Sequence, residues 1–153
     1  MKIEEVFDPN TKSLICSRIL RTLPDWFAIE KSIIDYAEEV RDLKLYATFD
    51  NTNPVGFVAV KIHNEFTAEI IVMGIMNDFH RRGIGASLIA CVERFCVAKG
   101  LQYLTVKTLD ASAVNEPYER TRKFYKSLGF VPLEVFPLYW DKENPCLFLA
   151  KHF

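Results

Sequence analysis

The chain has 153 residues, half of them hydrophobic and a quarter charged, with a formal net charge of −1. A chain of this length fits one domain, residues 1–153, and buries about 70% of the surface it exposes when unfolded. Its apolar content excludes a disordered polar chain, and its near-zero charge argues against a nucleic-acid binder, which carries a basic excess. No apolar run reaches the length of a membrane-spanning helix. Lys2, Glu4 and Glu5 stand where a secretory leader needs an apolar core. The sequence therefore reads as cytoplasmic, with no membrane partner.

Met1 to Phe7 reads as a strand. Asp8-Pro9-Asn10-Thr11 is a turn and helix start, with Asn10 or Thr11 as the cap. Leu14, Ile15, Ile19 and Leu23 recur at helical spacing, so a first helix is predicted from Thr11 to Arg21. A second follows with Ile29, Ile33, Tyr36, Ala37 and Val40 on one face. Strands are predicted over Leu43–Phe49 and Val55–Ile62. A hairpin turn at His63-Asn64-Glu65 leads into a third strand over Thr67–Met76. This last strand is apolar on both alternations, which marks a strand covered on both sides.

A polar loop over Asn77–Arg82 opens a helix from Gly83, striped by Ile84, Leu88, Val92, Phe95 and Cys96 and closed at Lys99-Gly100. A strand over Leu101–Thr108, a helix over Glu116–Leu128 and strands over Phe130–Phe136 and Cys146–Lys151 complete the chain. The last two are expected to be joined by a proline-bounded loop. The order β-α-α-β-β-β-α-β-α-β-β predicts an α/β (α+β) fold: a mixed, mostly antiparallel central sheet of about seven strands with helices on both faces. Cys16, Cys91, Cys96 and Cys146 form no C-x-x-C and no ligand spacing with His63, His80 or His152. Cys91 and Cys96 lie in an apolar helical pattern and read as small core residues, and no metal is expected.

The informative segment is Ile75 to Ala86, between a buried strand and a helix. Gly83 and Gly85 let the backbone turn tightly. The first turn of the helix presents unpaired N–H groups, and Arg81 and Arg82 add cations at its mouth, which together suit a phosphate. A dinucleotide fingerprint would need glycine at Leu88, and a P-loop would need a lysine that is absent.

His80-Arg81-Arg82-Gly83-Ile84-Gly85 resembles the acetyl-CoA loop of the GNAT superfamily of N-acetyltransferases, written [Q/R]-x-x-G-x-[G/A], with His80 where glutamine or arginine is usual. Phe124-Tyr125-Lys126-Ser127-Leu128-Gly129-Phe130 resembles the same family's F-Y-x-x-x-G-F signature. The element order matches over nearly the whole chain. The resemblance implies the acyl-CoA N-acyltransferase fold and direct transfer of an acetyl group from acetyl-CoA to an amine. It places the pyrophosphate on the amides of Arg82, Gly83, Ile84, Gly85 and Ala86, beside Arg81. It places the pantetheine arm along Ile75 and Met76, with a backbone N–H there polarising the thioester carbonyl. Tyr125 is implied as the acid at the sulfur. Tyr118 stands where many members carry asparagine, so that contact is not carried over.

Glu69 is the only charged residue between Thr67 and Met76. A carboxylate on a covered strand is costly unless it is partnered or functional, and Thr67-Ala68-Glu69-Ile70 resembles the catalytic-glutamate site of histone-type members, so Glu69 is the candidate base. The family's acceptor cleft would here draw on Asp25, Trp26, Phe27, Glu30, Tyr139, Trp140, Asp141 and Glu143, whose acidic and aromatic character suits a small cationic amine. Two other readings stay open: a non-catalytic CoA-binding regulatory module, and a protein or peptide N-acetyltransferase. A homodimer through a sheet edge or the final hairpin also stays open.

Overall fold

The computed structural model describes all residues from Met1 to Phe153. Seven strands follow the order β1-β2-β3-β4-β5-β7-β6, and the chain divides into two compact units, Met1–Lys61 with Ile70–Phe95 and Ile62–Glu69 with Cys96–Phe153.

In the first unit, β1 (Lys2–Val6), β2 (Lys44–Asp50) and β3 (Asn53–Ile62) pair antiparallel, with Ile3 opposite Thr48 and Ala47 opposite Phe57. β4 (Thr67–Ile75) continues this order from Ile70 onward. Helices α1 (Pro9–Leu20) and α2 (Glu30–Glu39) lie between β1 and β2 in sequence, and a 3₁₀ turn over Val40–Asp42 follows α2. The cap of α1 is Asp8, not Asn10 or Thr11. Its carboxylate accepts the Thr11 backbone N–H at 2.9 Å and the Thr11 hydroxyl at 2.8 Å. The helix starts two residues earlier than predicted because Pro9 fits a first-turn position, where its missing N–H costs nothing.

Ile15, Ile19, Leu20 and Leu23 join Ile33, Val40, Leu45, Phe57 and Val72 in one apolar cluster. Each such buried side chain contributes about 1.5–3 kcal/mol. Leu14 and Ile29, expected on the apolar faces, are instead exposed. Gly74 is required by this packing: a Cβ there would stand 3.1 Å from Leu23 Cδ1 and 3.3 Å from Ile19 Cγ2. Along β4, Ala68, Ile70 and Val72 are buried on one alternation. On the other, Glu69 is buried while Ile71, Met73 and Ile75 are half-buried.

Helix α3 (Ile84–Ala98) buries Ile84, Leu88, Ile89, Val92 and Cys96, and leaves Phe95 and Cys91 half-buried. In the second unit, Gln102 N–H donates to Phe66 O at 2.8 Å and Thr105 Oγ1 to Ala68 O at 3.4 Å. The partner positions rise together, so β5 (Tyr103–Leu109) runs parallel to the start of β4. β7 (Asn144–His152) pairs antiparallel with β5, and β6 (Val131–Asp141) pairs antiparallel with β7 at the end of the order. The predicted proline-bounded loop is a strand instead. β6 runs on to Asp141, opposite Asn144, with extra residues bulging between Phe136 and Asp141. Proline is tolerated there because the edge of a sheet does not need its N–H. Helix α4 (Glu116–Ser127) is capped by Asn115.

Candidate active site

The loop from Ile75 to Ala86 belongs to the first unit. Met76 N–H donates to Val55 O at 2.9 Å, holding the end of β4 to β3. Amides alternate direction along a strand, so the Ile75 N–H points away from β3. A 3₁₀ turn over Asn77–Phe79 follows, and the His80 ring Nε2 bonds Ile75 O at 2.5 Å, closing the loop on its own start. The Trp26 ring meets the His80 ring edge-on at 5.9 Å. His80 thus has a local task that the motif alone did not reveal.

Arg81 takes φ 61° and Gly83 φ 76°, both in the left-handed region, which costs an ordinary residue about 1–2 kcal/mol. A Cβ at Gly83 would meet no heavy atom within 4 Å, so the glycine is there for its backbone angle and not for lack of room. Ser87 N–H donates to Gly83 O at 3.0 Å as the first intrahelical bond of α3. The amides of Ile84, Gly85 and Ala86 therefore fall in the first turn, where helix geometry supplies no internal acceptor and the dipole adds positive charge. Arg81, Arg82, Gly83 and Ala86 are exposed, and the Arg82 guanidinium lies 5.1 Å from the Phe79 ring centroid.

Glu69 belongs to the second unit, and its side chain is only 8% exposed. Oε1 meets His63 Nε2 at 2.6 Å and Oε2 accepts from Lys107 Nζ at 2.8 Å. The costly carboxylate is thus partnered at both oxygens, by a histidine on the β3–β4 turn and a lysine on β5. Lys107 Nζ also stands 5.0 Å from the Tyr139 ring centroid and 5.6 Å from that of Phe148. Burial pulls the Lys107 ammonium toward losing its proton. The hydrogen bond and charge of Glu69 outweigh that pull and hold its pKa above the ordinary lysine value. Burial pushes the nearby Cys146 thiol up to about 11, against the opposing pull of Lys107. No group of three His, Cys, Asp or Glu side chains could hold a metal ion.

Tyr125, on α4 in the same unit, is buried between Phe124 and Phe130, with ring centroids 5.2 and 5.5 Å away. Burial, with a smaller push from Tyr118, raises its phenol well above the ordinary tyrosine value. Burial thus favours its protonated form. Buried Arg122 donates to Leu109 O at 2.7 Å and ties α4 to β5. A groove of about 670 Å³ runs along α4, with Arg120, Lys123 and Lys126 in its wall.

Of the acceptor candidates, Glu30 is paired with Arg21 at 2.5 Å, and Asp141 accepts from the Glu143 amide and from Asn144 Nδ2. Tyr139 faces Lys107, and Phe27 meets Tyr36 edge-on at 6.1 Å. Sequence reasoning passed over Lys107 and Arg122, read His63 only as a turn residue, and placed His80 in the loop motif without its bond to Ile75. The lone charge in an apolar strand pointed to Glu69, but nothing in the sequence pointed to the two residues that hold it.

The family model described as "Acetyltransferase (GNAT) family" matches residues 14–130. Among solved structures, the chain is similar to a protein described as an acetyltransferase of the GNAT family from Desulfovibrio desulfuricans, at 16% identity over 99% of this chain and 98% of that one, TM-score 0.83. It is similar to the aminoglycoside 6'-N-acetyltransferase from Enterococcus faecium, at 20% identity over 99% and 97%, TM-score 0.79. It is also similar to a GNAT family acetyltransferase from Elizabethkingia anophelis solved with acetyl-CoA bound, at 17% identity over 99% and 97%, TM-score 0.69. Among curated proteins, none matches this sequence. No helix is long and apolar enough to cross a membrane.

Proposed function

The chain belongs to the GNAT acetyltransferase family, and we propose that residues 1–153 work as one cytoplasmic N-acetyltransferase domain moving an acetyl group from acetyl-CoA directly to a primary amine of a small substrate. The observation that carries the reading is the loop at Gly83. Its left-handed backbone turns the first-turn amides of α3 outward beside two exposed arginines. Such a turn suits a diphosphate, through N–H donors, dipole and cation together.

In this reading Gly83, Ile84, Gly85 and Ala86 grip the pyrophosphate by backbone, with Arg81 and Arg82 neutralising its charge. Ile75 and Met76 guide the pantetheine arm. Met76 spends its amide on Val55 O, which leaves Ile75 as the donor to the thioester carbonyl. That donor stabilises the oxyanion that develops when the amine attacks. Glu69 is the carboxylate on which removal of the ammonium proton depends. Tyr125, whose burial makes it a reluctant acid, donates a hydrogen bond to the departing sulfur and lowers the barrier to its leaving. Acetyl-CoA supplies the activated acyl group, and the protein supplies alignment and proton handling.

A thiol-release assay over a panel of small amines tests this reading. It is expected to show acetyl-CoA consumption that depends on the amine and yields an N-acetyl product by mass spectrometry. Acetyl-CoA that raises the melting temperature with no amine ever acetylated would overturn catalysis in favour of a regulatory CoA-binding module.

A further inference from the structure

A general base must come within hydrogen-bond reach of the proton it takes. Glu69 is poorly placed for that. Both of its oxygens are engaged, Oε1 with His63 Nε2 at 2.6 Å and Oε2 with Lys107 Nζ at 2.8 Å, and its side chain is 8% exposed. A substrate ammonium would have to displace one partner to reach it. His63 is the open member of the cluster. Its side chain is 38% exposed, and its second ring nitrogen, Nδ1, makes no hydrogen bond within the protein. The turn that carries it is closed: His63 N–H donates to Thr67 O at 2.9 Å, and Asn64 Oδ1 accepts the Phe66 N–H at 2.8 Å.

We propose that His63 takes the proton from the substrate ammonium at Nδ1, with Glu69 and Lys107 as its positioning residues; the proposal rests on the acetyl-transfer reading above. Lys107, beside the rings of Tyr139 on β6 and Phe148 on β7, anchors Oε2 and leaves Oε1 to the imidazole. A carboxylate only accepts hydrogen bonds, so it takes the Nε2 proton and leaves the lone pair of the neutral ring at Nδ1. In the step, the ammonium N–H bond breaks and its electron pair stays on the amine nitrogen, which attacks the thioester carbonyl. The proton forms a new bond at Nδ1. The imidazolium keeps its Nε2–H on Glu69, whose charge stabilises it, and then gives the Nδ1 proton to water.

Imidazole NMR on the unmodified chain tests the arrangement without any amine. With the His63 signals assigned through His63→Asn, the neutral ring is expected as the Nε2–H tautomer. In Glu69→Gln, Lys107 holds the amide oxygen and the amide NH₂ faces the ring, so the tautomer is expected to switch to Nδ1–H. An Nδ1–H tautomer in the unmodified chain, or no switch in Glu69→Gln, would overturn the proposal whether or not any amine is acetylated. Thiol release from acetyl-CoA with spermidine, lysine and kanamycin tests the role. His63→Ala, with circular dichroism retained, is expected to lower kcat at least about 100-fold, and added imidazole to recover about tenfold of that loss. A merely structural role would not respond to imidazole. Full activity in His63→Ala, or a loss that imidazole does not relieve, overturns the proposal, while amine acetylation by the unmodified chain leaves the reading beneath it standing. No acetylation of any of the three amines by the unmodified chain overturns both.

Discussion

In the proposed reading, the loop at Gly83 and the cluster around Glu69 serve the reaction in opposite ways. The loop works through backbone angles and open amides, with its arginines in solvent. The cluster works through buried side-chain charge that is already matched inside the protein, one carboxylate between a lysine and a histidine. An exposed anion site can wait for its ligand at little cost. A buried carboxylate cannot, so its partners are built in before any substrate arrives.

The largest expected effect follows from breaking that match. Glu69→Gln leaves Lys107 without its counter-charge and is expected to cost about 3 kcal/mol in denaturant unfolding and at least about 100-fold in turnover. The pH dependence has a definite sign. Lys107 carries a raised pKa in the folded state, so its contribution is complete below 10.5 and fades as pH climbs through the raised value. Glu69→Gln should therefore remove an alkaline slope from the stability curve, seen in melting temperatures recorded across high pH. If the slope stays, the pair does not hold the lysine.

Tyr125→Phe ranks next. If the phenol only donates a hydrogen bond at sulfur, kcat should fall about 10- to 100-fold with KM nearly unchanged, and the loss should be larger for poorer leaving thiols. An equal rise in KM would place Tyr125 in binding instead. The smallest effect is expected from the loop's cations. Arg81→Ala with Arg82→Ala should weaken acetyl-CoA only several-fold, with a shallower salt dependence, because the amides remain. A loss as large as that from a broken backbone turn would shift the weight of the site from amides to guanidiniums.

The turn of the loop was legible because it is written in consecutive residues, Gly83 and Gly85 after two arginines, between an apolar strand and a helix. The cluster was half legible. Glu69 stands out against Ala68, Ile70 and Ile71, but Lys107 is 38 positions away and meets it only because β4 and β5 lie side by side there. Such pairings depend on strand register, which no local pattern encodes. His63 looked like an ordinary turn residue for the same reason. In the fold, element order and most of the core followed from periodicity, and the misses are local. Pro9 moved a helix start, because a proline that stops a helix inside can begin one. Pro137 and Pro145 suggested a loop, but Pro137 lies on the edge strand β6 and Pro145 at the very start of β7, positions where a strand tolerates proline. Leu14 and Ile29 were assigned inward by spacing, although a surface has room for single apolar side chains.

The central claim is that backbone amides at the Gly83 turn bind acetyl-CoA, and calorimetric titration tests it most directly. Acetyl-CoA is added to the unmodified chain and to Gly83→Val, whose Cβ meets no heavy atom within 4 Å but whose branched side chain disfavours the φ of 76°. The expected result is one-site saturable binding to the unmodified chain and at least about 100-fold weaker binding to a Gly83→Val chain that retains its circular dichroism. Flat heats for the unmodified chain, or equal affinity for the two, would contradict the account.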